Sequence, residues 1–172
     1  MKRIGKMLNA LKDEIKEELE TWKQSCCKMD DRQAKAAVGH LKTKIETETA
    51  CLVITFLRSS YITKTHQFKV AVYENEPFVT PAAMEKWIDL TPLFKQLPKT
   101  IDKFASEIRS KFIHVHDHEI EEISRLYLAY LYQKSHFFFE PIFEKAPTDK
   151  RNIAVFFGEE LGKIKQIGVV DL

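Results

Sequence analysis

The chain has 172 residues, 44% of them apolar and 30% charged, and its net charge at pH 7 is only +2. A composition this rich in core-forming side chains excludes an intrinsically disordered chain, and the length fits one domain with at most a helical extension. The basic residues are interspersed with acidic ones and form no basic stripe, which argues against a dedicated nucleic-acid-binding protein.

The first 49 residues contain no proline and predict helices. Their apolar residues recur in steps of three and four and form one stripe along a helix face: Ile4, Leu8, Leu11, Ile15, Leu19 and Trp22. After Met29 the stripe changes phase, so we expect two helices, over about 3–28 and 31–48, in a hairpin or a bent rod. One long helix is the alternative, because the break contains neither glycine nor proline.

Residues from Ala50 onward are richer in β-branched and aromatic side chains and predict strands. The segment 50–58 is the most continuously apolar and is expected to be the central strand. The segment 61–73 is expected to form one or two strands, because Phe68, Val70 and Val72 alternate with other residues at a period of two. The tail predicts a hairpin of strands 152–157 and 164–170.

Between these strands the sequence predicts helices. Thr80-Pro81 and Thr91-Pro92 each place a capping hydroxyl before a proline, which predicts a helix start at both positions. Apolar spacing predicts two further helices, over 100–112 and 118–134. Strands and helices do not alternate regularly, which argues against a doubly wound parallel sheet.

We therefore predict an α+β fold. An N-terminal helical hairpin precedes a small antiparallel sheet, with strands near 50–58, 61–73, 152–157 and 164–170, that packs against helices from 80–134. The chain divides into an N-terminal helical segment, 1–48, and an α+β domain, 49–172, and we expect the two to form one folding unit.

The cysteines predict free thiols. Cys26, Cys27 and Cys51 are odd in number and neighbouring cysteines rarely pair, so we expect a reducing cytoplasm. A vicinal-thiol redox or soft-metal role for Cys26 and Cys27 is the alternative. The longest apolar run, at 50–54, is far shorter than the roughly 20 residues that span a bilayer. The sequence therefore predicts a soluble cytoplasmic protein that does not contact a membrane.

The segment 114–118 contains three of the six histidines: His114, His116 and His118. If the segment is extended, the three imidazoles project to one face, and Glu122 follows His118 by one helical turn. Imidazole and carboxylate ligands suit zinc, nickel or iron, so this set predicts a site for one divalent transition metal. An exposed linker without metal is the competing interpretation.

The aromatic segment 136–143 also has two interpretations. Consecutive phenylalanines cannot all face one core along a regular element, so the segment is either buried on both sides or lines a ligand pocket or an interface. The second interpretation would suit a small-molecule sensor.

The stripe on the first helix carries the functional prediction. An amphipathic helix must bury its apolar face in its own domain or on another chain. We favour a non-catalytic intracellular protein-interaction or regulatory module, whose residues 3–28 contact a protein partner or a second copy in a homodimer. The predicted interaction face is Leu8, Leu11, Ile15, Leu19 and Trp22. A metal-dependent, hydrolase-like enzyme that uses the histidine cluster, with Glu122 as ligand or general base, is the alternative.

Overall fold

The computed structural model of the chain describes residues 2–28, 32–42, 50–57, 59–143, 152–160 and 162–171. Within these ranges the helices are α1 (Lys2–Ala10), α2 (Lys12–Lys28), α3 (Arg32–Lys42), α4 (Ser60–Thr63), α5 (Leu97–Lys111), α6 (Asp117–Lys134) and α7 (His136–Phe143), and a 3-10 turn spans Thr91–Phe94. The strands are β1 (Cys51–Phe56), β2 (Gln67–Tyr73), β3 (Met84–Asp89), β4 (Asn152–Glu159) and β5 (Ile164–Asp171). This arrangement confirms the predicted α+β class and its N-terminal helices.

The strands form one sheet in the order β3-β2-β1-β4-β5, with β1 in the middle as predicted. Three of the pairs are antiparallel, but β1 and β4 run parallel. The sheet is therefore mixed, and the prediction of an antiparallel sheet is corrected at this pair. Parallel pairing needs a long crossover, and the helices α5, α6 and α7, which precede β4 in the chain, supply it.

The segment after Thr80-Pro81 is a strand and not the predicted helix. Met84–Asp89 pairs with β2 at the edge of the sheet. Ile88 is buried, whereas its neighbour Trp87 is 42% exposed. Ladder hydrogen bonds and the burial of Ile88 outweigh the local helix-start signal, because local preferences are weak compared with tertiary contacts. The sheet thus gains a strand that the sequence did not predict.

Two other boundaries differ from the prediction. Thr91-Pro92 begins a 3-10 turn, and the Asp89 carboxylate accepts hydrogen bonds from the Thr91 backbone amide at 2.8 Å and the Thr91 hydroxyl at 2.6 Å. The predicted strand 61–73 begins only at Gln67, because Ser60–Thr63 forms a helical turn that ends at Lys64 in the left-handed conformation, with φ 56°. The helices predicted over 100–112 and 118–134 correspond to α5 and α6.

The two faces of the sheet bury different clusters. On one face, Leu52, Ile54 and Phe56 of β1 belong to a large core that also contains residues of α1, α2, α3, α5, α6 and α7. On the other face, Cys51 and Val53 belong to a smaller cluster. Side chains alternate between the two faces of a strand. Because other residues pack against both faces of the sheet at β1, every residue of this strand is buried. The large core takes residues from both predicted segments, 1–48 and 49–172.

The predicted helix 3–28 is divided at Leu11. The Leu11 amide is shared between the carbonyls of Met7 at 3.1 Å and Leu8 at 3.2 Å, and this residue alone separates α1 from α2. The second predicted helix, 31–48, corresponds to α3, which packs against β2 and β3. Its remaining residues, 31 and 43–48, and the predicted break at 29–30 lie outside the described residues.

Arg3 links α1 to the connection between α5 and α6. Its guanidinium donates to the carbonyls of Ile113 at 2.8 Å and His114 at 2.9 Å, and it pairs with Glu119 at 2.9 Å. We expect Arg3→Ala to lower the free energy of unfolding by about 1 kcal/mol, because the Arg3 side chain is half exposed and its contacts are partly screened. Urea denaturation would measure the loss. The exposed Lys2→Ala variant is the control, and equal losses in both variants would contradict the prediction.

Candidate functional site

The apolar stripe predicted as an interaction face lies inside the protein's own core. Leu11, Leu19 and Trp22 are buried, and Leu8 and Ile15 pack half-buried against the same large core. The Trp22 indole N–H donates to a backbone carbonyl of the 3-10 turn at 2.7 Å. The 3-10 turn, α6 and α7 contact the N-terminal helices. The structure therefore gives this stripe an internal packing role, and its contact with a partner or a second copy stays a prediction.

The histidine-rich segment forms the connection from α5 into α6. His114 has a left-handed backbone, with φ 54°. The segment is therefore not extended, and an extended backbone was the condition for the three imidazoles to project to one face. His116 directly precedes α6 and His118 lies in its first turn, where the two rings stack with centroids 5.5 Å apart. All three histidines are exposed. The structure thus brings two of the three imidazoles together.

The carboxylates near these histidines are engaged elsewhere. Glu122, the fourth predicted ligand, accepts hydrogen bonds from Arg125 at 2.6 and 2.9 Å. Glu119 accepts a hydrogen bond from the His116 backbone amide at 3.0 Å and pairs with Arg3, and these contacts hold the pKa of Glu119 below its usual value.

A metal site is not assembled in the described part of the chain. No group of three or more His, Cys, Asp or Glu side chains there is placed to hold a metal ion. Metal binding by His114, His116, His118 and Glu122 therefore stays a prediction, and it would require these side chains to rearrange.

The cysteines are free, and two of them are buried. Burial raises the pKa of the Cys26 thiol to about 12 and also raises the pKa of the Cys51 thiol. Since the thiolate is the reactive form, these two side chains are chemically inert core residues. Cys27 is exposed, so the adjacent cysteines differ in environment.

An open cleft of about 640 Å³ lies between the helices and the β4–β5 hairpin. One wall comes from the end of α6 and the start of α7, and the other from the end of β4, the turn and the start of β5. The buried rings of Phe56 and Phe157 lie at its base. The cleft therefore opens at the carboxyl ends of the parallel pair, β1 and β4.

Three lysines line this cleft, which we call the basic cleft. Lys134 comes from α6, Lys163 from the hairpin turn and Lys165 from β5, and the acidic residue of the lining is Glu159. Lys134 lies over the ring of Tyr130, with its ammonium 5.4 Å from the ring centroid. Among the described residues, none of the three lysines forms an ion pair. The lining thus carries an excess of positive charge that no described residue neutralises through an ion pair with these lysines.

The aromatic segment 136–143 forms α7 and contributes to both the core and the basic cleft. Phe138 and Phe139 are buried in the large core. His136 lines the cleft, and its Nδ1 is 2.9 Å from the Gln133 carbonyl while its Nε2 is 3.5 Å from the Glu140 carboxylate. Burial lowers the pKa of His136, so the lysines and not this imidazole supply the positive charge. Both interpretations of the segment therefore apply: Phe138 and Phe139 are core residues, whereas His136 lines a cleft.

Gly158 allows the hairpin to close tightly beside the basic cleft. A Cβ atom at this position would overlap the carbonyl oxygen of Lys163 and lie 2.8 Å from the Cα of Ile164. Only glycine permits so close an approach of two backbones. The positions of Lys163 and Lys165 therefore depend on the absence of a side chain at residue 158.

The sequence did not predict the basic cleft. Lys134 is far from Lys163 and Lys165 in the chain, and a mixed-charge composition gives no sign that the three meet. The one usable signal is the pair of lysines on either side of Ile164, where the turn of the predicted hairpin meets its second strand, and such a pair by itself is typical of a solvated turn.

Neither a protein-family model, nor a curated protein, nor a solved structure matches this chain. A function has to be argued from the geometry of its sites. Across the described ranges, the helices are too short or too polar to cross a bilayer.

Two buried histidines are expected to make the stability of the fold depend on pH. His66 Nδ1 is hydrogen-bonded with the Tyr132 hydroxyl at 2.9 Å, and its ring stacks on Phe94 at 4.3 Å. Burial lowers the pKa of His66, as it does for His136, from the ordinary value of 6.5. The unfolded chain therefore binds protons at a higher pH than the native state, and the free energy of unfolding falls as the pH drops below about 6.5. The loss is at most about 1.4 kcal/mol per pH unit for each histidine.

Urea denaturation at a series of pH values from neutral to about pH 5 tests this dependence. His66→Phe removes one of the two titrating groups and is expected to flatten the decline. His114→Ala, at an exposed position, is the control and is expected to leave the decline unchanged. An unaltered pH dependence in His66→Phe would refute the assignment.

Proposed function

We propose that the protein is a non-catalytic interaction module that binds an acidic segment of a partner protein in the basic cleft. The observation that carries this proposal is the convergence of Lys134, Lys163 and Lys165, none of which is ion-paired with a described residue. Cations of one sign in a concave site attract groups of opposite charge and accelerate their association.

The type of cation favours an acidic peptide over a phosphorylated small molecule. Lysine is a point charge on a flexible stem, so it recognises charge more than ligand shape. The described lining contains no arginine, whose planar guanidinium binds phosphate through two parallel hydrogen bonds. The cleft is also open to solvent, whereas small-molecule sites bury most of their ligand. Carboxylates spaced along a peptide match the three lysines, which come from α6, the hairpin turn and β5.

The rings in the cleft add an apolar requirement. Tyr130 stands beside Lys134, and the buried Phe157 lies at the base. Aromatic surface of this kind stabilises contact with an apolar side chain of a ligand. The partner segment that fits the basic cleft is therefore acidic and carries at least one aromatic or large aliphatic residue.

The free cysteines support a cytoplasmic location for this module. Disulfides form in oxidising compartments, and Cys26, Cys27 and Cys51 are unpaired. Partner binding through the basic cleft also replaces the contact proposed for residues 3–28, whose apolar stripe is buried in the core.

Fluorescence anisotropy with a labelled peptide of glutamates around a central phenylalanine tests the proposal. The triple variant Lys134→Gln, Lys163→Gln and Lys165→Gln is expected to bind this peptide at least about tenfold more weakly, because each lost charge pair contributes roughly 0.5–1 kcal/mol. Added salt is expected to weaken the native complex more than the variant complex.

The matched control removes the same charge elsewhere. Lys12→Gln, Lys16→Gln and Lys99→Gln alter exposed helix positions outside the cleft lining, and this triple variant is expected to bind like the native protein. If both triple variants bound the peptide equally weakly, the loss of affinity would come from the lower net charge and not from the basic cleft, and the proposal would be overturned. Tighter binding of an RNA oligonucleotide or inorganic polyphosphate than of the peptide would overturn the choice of an acidic protein segment.

A further inference from the structure

A second cavity lies within the helical layer, away from the basic cleft. Its volume is about 180 Å³, and it is more enclosed than the cleft. Its walls come from α2, the 3-10 turn, the start of α5 and the middle of α6. Apolar side chains dominate the buried wall, among them Trp22, Leu93 and Leu131. The cavity thus has the character of an enclosed apolar site.

Tyr127 lines this cavity with a side chain whose hydroxyl has no partner among the described residues. The side chain lines the cavity and is only 4% exposed. Its ring is held by an edge-on contact with Phe104, with centroids 5.0 Å apart. No described residue hydrogen-bonds to the Tyr127 hydroxyl. Among the described residues the one buried side-chain polar atom without a partner is Thr55 Oγ1, so the Tyr127 hydroxyl is open to solvent in the cavity, and a polar group of a ligand can take the place of water there.

The other buried polar groups of the wall already have partners. The Trp22 indole N–H donates to the Leu93 carbonyl. Glu18 accepts hydrogen bonds from the Thr100 hydroxyl at 3.1 Å and the Lys103 ammonium at 2.7 Å. Because Lys103 compensates the Glu18 charge, the cavity does not call for a charged ligand. The wall can accommodate one neutral hydrogen-bonding group of a ligand, beside the Tyr127 hydroxyl.

The volume limits the size of the ligand. An engineered apolar cavity of about 150 Å³ binds benzene, so about 180 Å³ admits a single six-membered ring with one small substituent. From this size, the apolar wall and the unpaired Tyr127 hydroxyl, we infer that the cavity is a binding site for a small neutral ring compound that carries one hydroxyl group. This site is separate from the basic cleft and does not depend on the function proposed for it.

Phenol and toluene are the probes, because they have similar size and differ in the hydroxyl. Titration of the full chain, followed by two-dimensional NMR, is expected to shift signals of residues around the cavity and to show tighter binding of phenol. In Tyr127→Phe, phenol is expected to bind about three- to tenfold more weakly, as for the loss of one hydrogen bond. Toluene binding is expected to be unchanged in this variant.

A second variant tests the location. Thr21 is exposed and lines the cavity on α2, so Thr21→Trp places a large ring there without altering the core. This variant is expected to stay folded and to lose phenol binding. The inference would be overturned if neither probe shifted any signal, or if the native protein bound phenol and toluene with equal affinity. Retained phenol binding in Thr21→Trp would also overturn it.

Discussion

Replacing Trp22 with alanine is expected to lower the free energy of unfolding by about 3–5 kcal/mol, the range for truncating a large buried aromatic side chain. Trp22 is 8% exposed, its ring lies 6.2 Å from Phe94 and its indole N–H donates to the Leu93 carbonyl. The substitution would leave a cavity between α2 and the 3-10 turn and remove the partner of that carbonyl. Urea denaturation followed by circular dichroism would measure the loss as a lower transition midpoint.

Trp87→Ala is the matched control for this experiment. Trp87 lies on the edge strand β3 and is 42% exposed, so its loss is expected to cost less than about 1 kcal/mol. Similar losses in the two variants would show that Trp22 is not a core residue. Deletion of residues 2–28 extends the test, because the core includes Met7, Leu11 and Leu19, and we expect the remainder to unfold. A folded remainder would favour the prediction that this helix contacts a partner.

Replacing Gly158 with alanine is expected to destabilise the protein by about 1–3 kcal/mol or more, as overpacking against backbone atoms does. The new methyl group would overlap the Lys163 carbonyl oxygen and crowd the Ile164 Cα, neither of which can move without displacing β5. The same displacement would shift Lys163 and Lys165. We therefore also expect weaker binding of the acidic peptide, measured by anisotropy under conditions in which the variant is folded.

Gly5→Ala is the matched control, since the same methyl group is expected to have the opposite effect there. Gly5 lies within α1, and a Cβ atom at this position would have no neighbour within 4 Å. Alanine favours a helix over glycine by about 0.5–1 kcal/mol, so Gly5→Ala is expected to stabilise the protein by up to that amount. Destabilisation by Gly5→Ala, or none by Gly158→Ala, would contradict the close packing described for the hairpin.

The candidate site illustrates which functional features a single sequence can reveal. The histidine-rich segment was conspicuous because its residues are neighbours in the chain, yet the left-handed backbone at His114 and the Arg125 contact of Glu122 separate the predicted ligands. The basic cleft gave almost no local signal, because Lys134 lines the same cleft as Lys163 and Lys165 only in the tertiary structure, where α7 packs against β5. The unpaired hydroxyl of Tyr127 likewise depends on which groups surround it.

The sequence by itself determined the properties that depend on neighbouring residues. Periodic apolar residues predicted the N-terminal helices and α6, continuous apolar character predicted β1 as the central strand, and alternating residues predicted β2. Only the tertiary structure decided the rest. It made Met84–Asp89 an edge strand, paired β1 with β4 in parallel, buried the stripe of α1 and α2 in the protein's own core and brought three lysines to one cleft. Each of these outcomes is a contact between residues distant in the chain, and local spacing carries no information about which distant surfaces will cover one another.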